Sequence, residues 1–496
     1  MPKEKTHLQF KKWAEEYGPV YSLMLGTWTL IVLASDQAVK DLLDKRSAIY
    51  SSRPDHYLAQ VASGGLRFAL MPYGDPWRMI RKIVHNNLNI TATKSYVPYQ
   101  DLESKALLVE LLDMPELFID HLRRYTHSLT TQMVFGFRTP SIDDPKLKQL
   151  FWGIEKFSQV HGKTSAALLD LYPVLRSLPD AVLSERRHAK QLHEKSSELF
   201  VGLWLDVKKA IKIGTAKPCF CVDLVRAQEE ENISDELAAY ISGSILEAGS
   251  DTTAAELVSF TQAMILFPEV AKAAQEELDR VCSHRLPTIE DWPNLPYIHG
   301  CIKETLRWMP TVISGAPHGL IRDDEYMGYT IPKGAGVLPN SWAIHNDPKR
   351  HPDPRRFDPT RYIHDQSTAA ESANNPDPTK RDHFGFGAGR RVCQGMHVAE
   401  RSLFLAISRL LWAFDFRPAH NEAGEDIIPD PEDLTEGTLS QPKPFPASIT
   451  PRNKEKVTLI REEWGKMEAL LDEERQWKIL PEGLKWKDVK NVSKEA

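Results

Sequence analysis

One loop constrains this chain more than any other stretch: Phe384-Gly385-Phe386-Gly387-Ala388-Gly389-Arg390-Arg391-Val392-Cys393-Gln394-Gly395. Three alternating glycines lead into one cysteine, and a fourth follows two residues later. Glycine this dense allows close backbone approach and turn angles that other residues avoid. A helix-like run, His397 to Leu405, begins at once. Cys393 therefore stands before a helix start, where unpaired N–H groups and the positive end of the helix dipole favour a thiolate. A thiolate presented by a tight loop suits a metal ligand. No second cysteine or histidine stands at zinc-like spacing, so the other ligands have to come from a prosthetic group. The competing reading is a buried structural cysteine in a glycine-rich turn.

The rest of the chain has room to enclose such a group. Its 496 residues are 42% hydrophobic and 26% charged, ample for a large core. A net charge of -6 speaks against nucleic acid as a partner. The five cysteines (Cys219, Cys221, Cys282, Cys301 and Cys393) are odd in number and scattered, which suits reduced thiols in an intracellular setting. The opening Met1-Pro2-Lys3-Glu4-Lys5 is charged, and no apolar stretch of a signal peptide follows. The strongest apolar run, Leu23 to Ala34, is shorter than the roughly 20 residues that span a bilayer. Both observations predict a soluble chain.

Leu8 to Tyr17 reads as a short amphipathic helix ended by Gly18-Pro19. Val20 to Leu25 and Thr29 to Leu33 read as a hairpin around Gly26-Thr27-Trp28. Ser35 caps a helix through Leu43, and Ser51 to Gly74 reads as a long loop. Asp75-Pro76-Trp77 opens a helix that carries Trp77 and Arg81 one turn apart. Helical patterns fill residues 100 to 232. Ser234-Asp235-Glu236 then starts the longest helix, which reaches Phe267. Its centre, Gly249-Ser250-Asp251-Thr252-Thr253, is five poor helix formers in a row, a weakness expected to serve function. Another helix spans Tyr297 to Trp308; β-like segments follow to Asn340, and residues 346 to 380 read as irregular. The pattern divides the chain into one domain, 1–450, and a charged, largely helical extension, 451–496.

The spacing Phe386-x-x-Gly389-x-Arg391-x-Cys393-x-Gly395 resembles the haem-binding loop of the cytochrome P450 family. Further stretches fit in the family's order. Glu304-Thr305-Leu306-Arg307 puts an acid and an arginine on one helix face. Pro354-Arg355-Arg356-Phe357 resembles the second arginine motif, with Arg356 completing a Glu304–Arg307–Arg356 network that braces the haem loop. Arg355 departs from the family, which usually has Glu there. Ala248-Gly249-Ser250-Asp251-Thr252-Thr253 is similar to the oxygen-activating motif. In that motif Ala and Gly leave space above the iron, Thr252 loosens the backbone ladder and presents a hydroxyl, and Asp251 delivers protons. His345-Asn346-Asp347-Pro348 also fits, and the likeness runs from the first helix to about residue 450.

This resemblance implies a mainly α fold with small β-sheets, the long central helix passing over a haem and the cysteine loop lying beneath it. It implies haem b (iron protoporphyrin IX) with the Cys393 thiolate as axial ligand and Phe386 and Gly395 in its loop. Trp77, Arg81, Arg391 and His318 match positions that face the haem propionates. Phe68, Ala248, Ile313 and Leu439 match substrate-lining positions, within the segments Leu66–Met71, Val312–Ser314 and Thr438–Leu439. The implied reaction inserts one oxygen atom of O2 into a C–H bond of a small or medium apolar substrate, such as an aromatic polyketide. Electrons come from NADPH through a separate cytochrome reductase flavoprotein, since no flavin or nicotinamide fingerprint is visible. Two alternatives stay open: a haem-thiolate isomerase or dehydratase that needs no reductase, and a non-catalytic haem sensor. The intact Asp251-Thr252 pair argues against both. The segment after Cys393 looks most like filamentous-fungal members of secondary metabolism. Eukaryotic members usually begin with a membrane helix, and this chain starts about where their soluble domain starts. Endoplasmic-reticulum association is expected if the native protein has an N-terminal anchor, and a cytoplasmic location otherwise, with some affinity for a membrane surface.

Overall fold

The two β-rich runs near the N-terminus pair across Gly26-Thr27, with Leu25 opposite Trp28 and Val20 opposite Leu33. In the computed structural model, residues 5–481 and 484 are described, apart from 163, 436 and 438. The second strand, Trp28–Leu33, runs parallel to Gly336–Pro339, and His318–Gly319 closes the far edge of this four-stranded sheet. Two smaller antiparallel sheets complete the β structure. One joins Asp324–Tyr326 to Tyr329–Ile331; the other sets Phe414–His420 between Asp426–Ile427 and Ala447–Pro451. The rest of the regular structure is helical.

The central helix runs Asp235–Leu266, 32 residues, roughly 48 Å long at 1.5 Å per residue. Ser234 caps it as expected, its Oγ accepting from the Leu237 N–H at 3.2 Å. It stays helical through Gly249–Thr253, so the five poor formers weaken it without breaking it. Gly249 earns its place by packing. A Cβ there would lie 2.7 Å from Thr130 Oγ1 on the neighbouring Phe118–Phe135 helix.

Two apolar clusters sandwich the central helix. Its C-terminal half packs with the Pro296–Trp308 and Met396–Ala413 helices around Trp308, Trp342 and Trp412. Its N-terminal half packs with Val97–Asp113, Phe118–Phe135 and Ser184–Lys212 around Trp204 and Tyr240. Each such buried aromatic removes roughly 150–250 Å² from water, which makes these contacts the main favourable term.

Three expectations change. The Ser51–Gly74 loop contains a short helix, Tyr57–Val61, and a tight turn, Phe68–Leu70. The irregular stretch 346–380 holds Ala369–Ala373, started by a capping box of Thr368 and Glu371. Five residues are too few to show a helical period. The C-terminal extension does not stand apart. Its helix Lys454–Glu468 lies on Val97–Asp113, and Trp464 and Trp477 enter the same core as Tyr99. Trp477 Nε1 donates to Gln132 Oε1 at 2.6 Å, and Gln476 Oε1 accepts from the Arg138 N–H at 2.8 Å. The expected extension beyond residue 484 lies outside the described residues. Among the described residues no single helix is long and apolar enough to cross a membrane.

Candidate functional site

The cysteine loop is held by its own backbone. Cys393 N–H donates to Phe386 O at 2.9 Å, closing the turn. Gly389 has φ +61° and is pressed against the Leu43 carbonyl, so a Cβ there would collide with backbone. Its N–H donates to Asp44 Oδ1 at 2.6 Å. Burial raises the Cys393 pKa, while the N–H groups of Gly395 and Met396 and the Arg81 guanidinium oppose that rise. The donors expected at the helix start are therefore present, but desolvation outweighs them, and a bound metal cation would favour the thiolate.

Cys393 is the one cysteine of five with exposed surface; the other four are buried. It is thus the one thiol whose sulfur a ligand can reach. Ala248 is exposed in the middle of the central helix, and Thr252, one turn on, is part-exposed. Among the described residues no group of three or more His, Cys, Asp or Glu could hold a metal. The donor set is thus a lone thiolate, which fits a metal carried in a macrocycle and not one caged by side chains.

The edge of the site is a cluster of arginines without acids. Trp77 is buried, and the Arg391 and Arg81 guanidiniums sit 4.2 and 5.7 Å from its ring centre. Arg391 donates to Ser51 O and Met71 O, both at 2.7 Å, and Arg81 donates to Val392 O at 2.8 Å. Arg53, which carries no sequence periodicity to mark it, joins them, donating to Pro317 O at 2.6 Å. Among the described residues none of the three has a carboxylate partner. Burial lowers Arg391 to about 9, and Arg81 and Arg53 to about 10 each. Buried guanidiniums held only by carbonyls call for an anion, and two carboxylates at a haem edge fit them. His318 lies nearby but spends its Nδ1–H on Tyr50 O at 2.7 Å. Burial and the nearby Arg53 and Arg391 lower its pKa to about 3, which favours the neutral imidazole.

Glu304 and Arg307 meet, and the third member of their network is not the arginine expected. Arg307 Nε and Nη2 each donate to Glu304 at 2.6 Å, and both residues have zero exposure. Asp358 N–H donates to Glu304 Oε1 at 2.9 Å, and Arg361 Nε reaches it at 3.3 Å. Arg356 is not there: it lies at the surface, 3.7 Å from Glu269. The turn Pro359–Tyr362 carries Arg361 inward five residues after Arg356. The brace reaches the loop through His345, which the sequence singled out only as part of a tetrapeptide. Arg307 Nη1 donates to His345 O at 2.9 Å, and His345 Nδ1 donates to Arg307 O at 3.0 Å. Phe384 N–H then donates to His345 Nε2 at 2.7 Å. Burial holds this histidine neutral, which lets one nitrogen donate while the other accepts.

On the other side, Thr252 Oγ1 donates to Ala248 O at 2.6 Å, bonding back one turn. Burial raises the Asp251 pKa, with Arg123 opposing. Arg67 pairs with Glu247 at 3.0 Å and lies over the Phe157 ring at 3.7 Å. This contact ties the 51–74 loop and the Pro145–Gly162 helix to the central helix, and sequence spacing gave no sign of it. Phe68 stacks on Trp77 at 5.8 Å, and Leu439 is part-exposed. Ile313 turns the other way: it is 5% exposed and packs with Trp308 and Trp342. Its neighbours Val312 and Ser314 keep the accessible surface, in a turn that the Gly315 N–H closes on Val312 O at 2.9 Å. Thr438 lies outside the described residues.

Comparisons with known proteins agree with this geometry. Residues 1–447 match the family model described as Cytochrome P450. The cytochrome P450 monooxygenase virE of Hypocrea virens is 56% identical over 497 residues, covering 100% of this chain and 90% of that protein. The cytochrome P450 monooxygenase fogE of Aspergillus ruber is 52% identical, covering 99% of this chain and 92% of that one. A solved zebra fish cytochrome P450 with progesterone superposes with TM-score 0.74 over 91% of this chain and 100% of that chain; at 23% identity it supports the fold.

Proposed function

Because the chain belongs to the cytochrome P450 family, we propose that Cys393 is its axial haem ligand and that the space between the cysteine loop and the central helix is its active site. The activity is that of a haem-thiolate monooxygenase, with electrons supplied by a redox partner. Relatives named as monooxygenases leave the isomerase, dehydratase and sensor readings without support. When bound, the haem supplies activation of O2 and insertion of one oxygen atom into a C–H bond.

The chain's own residues do the rest. Arg53, Arg81 and Arg391 hold the propionates by charge-assisted bonds, each contributing about 1.5–3 kcal/mol. Glu304, Arg307, Arg361 and His345 fix the loop that aims Cys393. Thr252 can release its bond to Ala248 O and offer the hydroxyl to the cavity. Asp251, raised by burial, holds a proton more readily than an ordinary carboxylate and can pass it on. Part-exposed apolar residues such as Phe68, Val312 and Leu439 support a small or medium apolar substrate, among them the aromatic polyketides and other secondary metabolites. The electron donor we propose is an NADPH–cytochrome reductase flavoprotein.

The observation that carries this reading is the lone accessible thiol among four buried ones. Cys393→Ala should abolish the ferrous–carbonyl absorption band characteristic of thiolate-bound haem. Retention of that band in the variant would overturn the assignment.

A membrane surface is a second part of the proposal. Val174 and Val182 are 75% and 63% exposed, with Leu168, Tyr172 and Leu178 also exposed beside them in sequence. Thr27 Oγ1 donates to Leu171 O at 3.1 Å, which brings the exposed Met24 hairpin to the same region. Such a patch supports docking on an endoplasmic-reticulum membrane, with or without an anchor. Sedimentation with phosphatidylcholine vesicles should fall several-fold in a Val174→Asp, Val182→Asp double variant. Equal sedimentation of variant and parent would count against it.

A further inference from the structure

Glu256 lies on the central helix one turn past Thr252 and is 6% exposed. Its Oε1 accepts from the Thr311 N–H at 3.0 Å and from Thr311 Oγ1 at 2.8 Å. Its Oε2 is buried with no hydrogen-bond partner among the described residues. No cation pairs with it there, and burial pushes its pKa up to about 8, with the two Thr311 bonds opposing. Burial thus favours its protonated form near neutral pH, and a buried carboxyl with one oxygen unpaired is expensive to keep without a purpose.

Thr311 is a junction of three elements. Its Oγ1 also approaches Thr252 O at 3.5 Å. Its own carbonyl accepts from the Ser440 N–H at 2.8 Å. The residues next along the chain from these two contacts, Val312 and Leu439, are the ones that keep accessible surface. One carboxyl group thus links the helix that carries Thr252 to both segments of the opposite wall.

We propose that Glu256, acting through Thr311, is the positioning residue that sets the substrate-facing wall of Val312 and Leu439 against Thr252. This rests on the monooxygenase reading given above. The acid works as an acceptor of fixed direction: Oε1 takes both Thr311 donors, and Thr311 in turn holds Ser440. Ionised, it would draw water into a dry contact and loosen the wall. An apolar residue of similar size would fill the space but leave the Thr311 N–H buried and unpaired.

The test compares haem-loaded E256Q, E256L and T311V with the parent. Hydrogen exchange at the Thr311 and Ser440 amides should quicken about tenfold in E256L, the effect of losing about 1.4 kcal/mol of local protection. T311V removes the Oγ1 contacts to Glu256 and Thr252 while keeping the acid and the backbone bonds, and should loosen the wall through the lost side-chain bond alone. Binding of the azole clotrimazole, read from its Soret shift, should weaken about tenfold in both, with unchanged haem content and global thermal midpoint. E256Q keeps the acceptor and should restore parental exchange and binding. Parental exchange at both amides in E256L and T311V overturns the proposal; should E256L fail to fold, T311V alone decides. A parent protein without the thiolate–haem spectrum would instead sink the underlying assignment, so the two failures are distinguishable.

Discussion

The acids of the brace and of the central helix are almost equally buried, yet their surroundings are opposite. Glu304, in the brace, has zero exposure and accepts from two guanidiniums and a backbone N–H. Asp251 and Glu256, on the central helix, are 9% and 6% exposed and have no cation in contact among the described residues. Burial raises both pKa values, Glu256 to about 8. The same contrast separates the cations: Arg307 is matched by Glu304, while Arg53, Arg81 and Arg391 have only carbonyls. A matched pair in low dielectric is rigid and costly to break. An unmatched group waits for a ligand or exchanges a proton. Under the function proposed here, the first kind fixes the cysteine loop and the second lies where chemistry and cofactor would enter.

The sharpest way to break the comparison is at the matched site. Glu304→Ala leaves two buried guanidiniums unpaired and should cost about 3–5 kcal/mol. The readout is little haem-loaded protein and a lowered thermal midpoint. Arg361→Ala should lower that midpoint measurably, whereas Arg356→Ala should leave it unchanged. Full haem content with only slower turnover in Glu304→Ala would contradict the bracing role.

At an unmatched cation the loss should fall on the cofactor and spare the fold. Arg391→Leu should speed haem transfer to apomyoglobin by roughly tenfold or more, as expected for one lost charge-assisted bond. The apoprotein's thermal midpoint should hold or rise, because a buried unpaired charge has gone. A collapse of the apoprotein would place Arg391 with the matched group.

The unmatched helix should reveal itself in coupling. Thr252→Ala should still bind haem and consume NADPH, but product per NADPH should fall by roughly tenfold or more, the scale of a lost proton-transfer group. Hydrogen peroxide makes up the difference. Asp251→Asn should slow turnover with a larger solvent isotope effect. An unchanged product-to-NADPH ratio in Thr252→Ala would make it an ordinary packed residue.

The smallest effect concerns pH and stability. Glu256 has a folded pKa raised to about 8, so its proton binds the folded state more tightly. That stabilising contribution is full below the ordinary carboxyl pKa of about 4.3 and is lost as pH rises through about 8. The parent's thermal midpoint should therefore fall more steeply between pH about 5 and 8 than that of Glu256→Gln, by a few degrees at most. Parallel profiles would show that Glu256 is not protonated in the fold.

Much of this was visible in the chain itself. Ser234 and the acids after it mark the start of the longest helix, and Gly389 marks a turn that no other residue can make. Cys393 stands out because its spacing to four loop residues lies within one element. Glu304 and Arg307 share a helix face at i,i+3, so their bond follows from helix geometry alone. Arg356 and Arg361, by contrast, sit five residues apart in a proline-rich stretch with no period, and nothing local says which turns inward. The same holds for Ile313 and Val312, neighbours in one turn, of which the first is buried in the core and the second keeps accessible surface.

By itself, then, the sequence determined the elements and the chemistry carried inside each: the glycine-bound thiol, the capped central helix, the paired acid and arginine, the hairpin though not its register, which pairs Leu25 with Trp28. Those relations span a turn or two, where backbone geometry leaves one answer. Tertiary structure alone decided the relations across distance: Arg361 on Glu304, His345 between brace and loop, Arg53 among the unpaired cations, Glu256 on Thr311. These partners stand from 38 to more than 300 residues apart. Which of them meet depends on how whole helices pack, and packing energy is collective and carried by many apolar contacts at once. Local spacing holds no record of it.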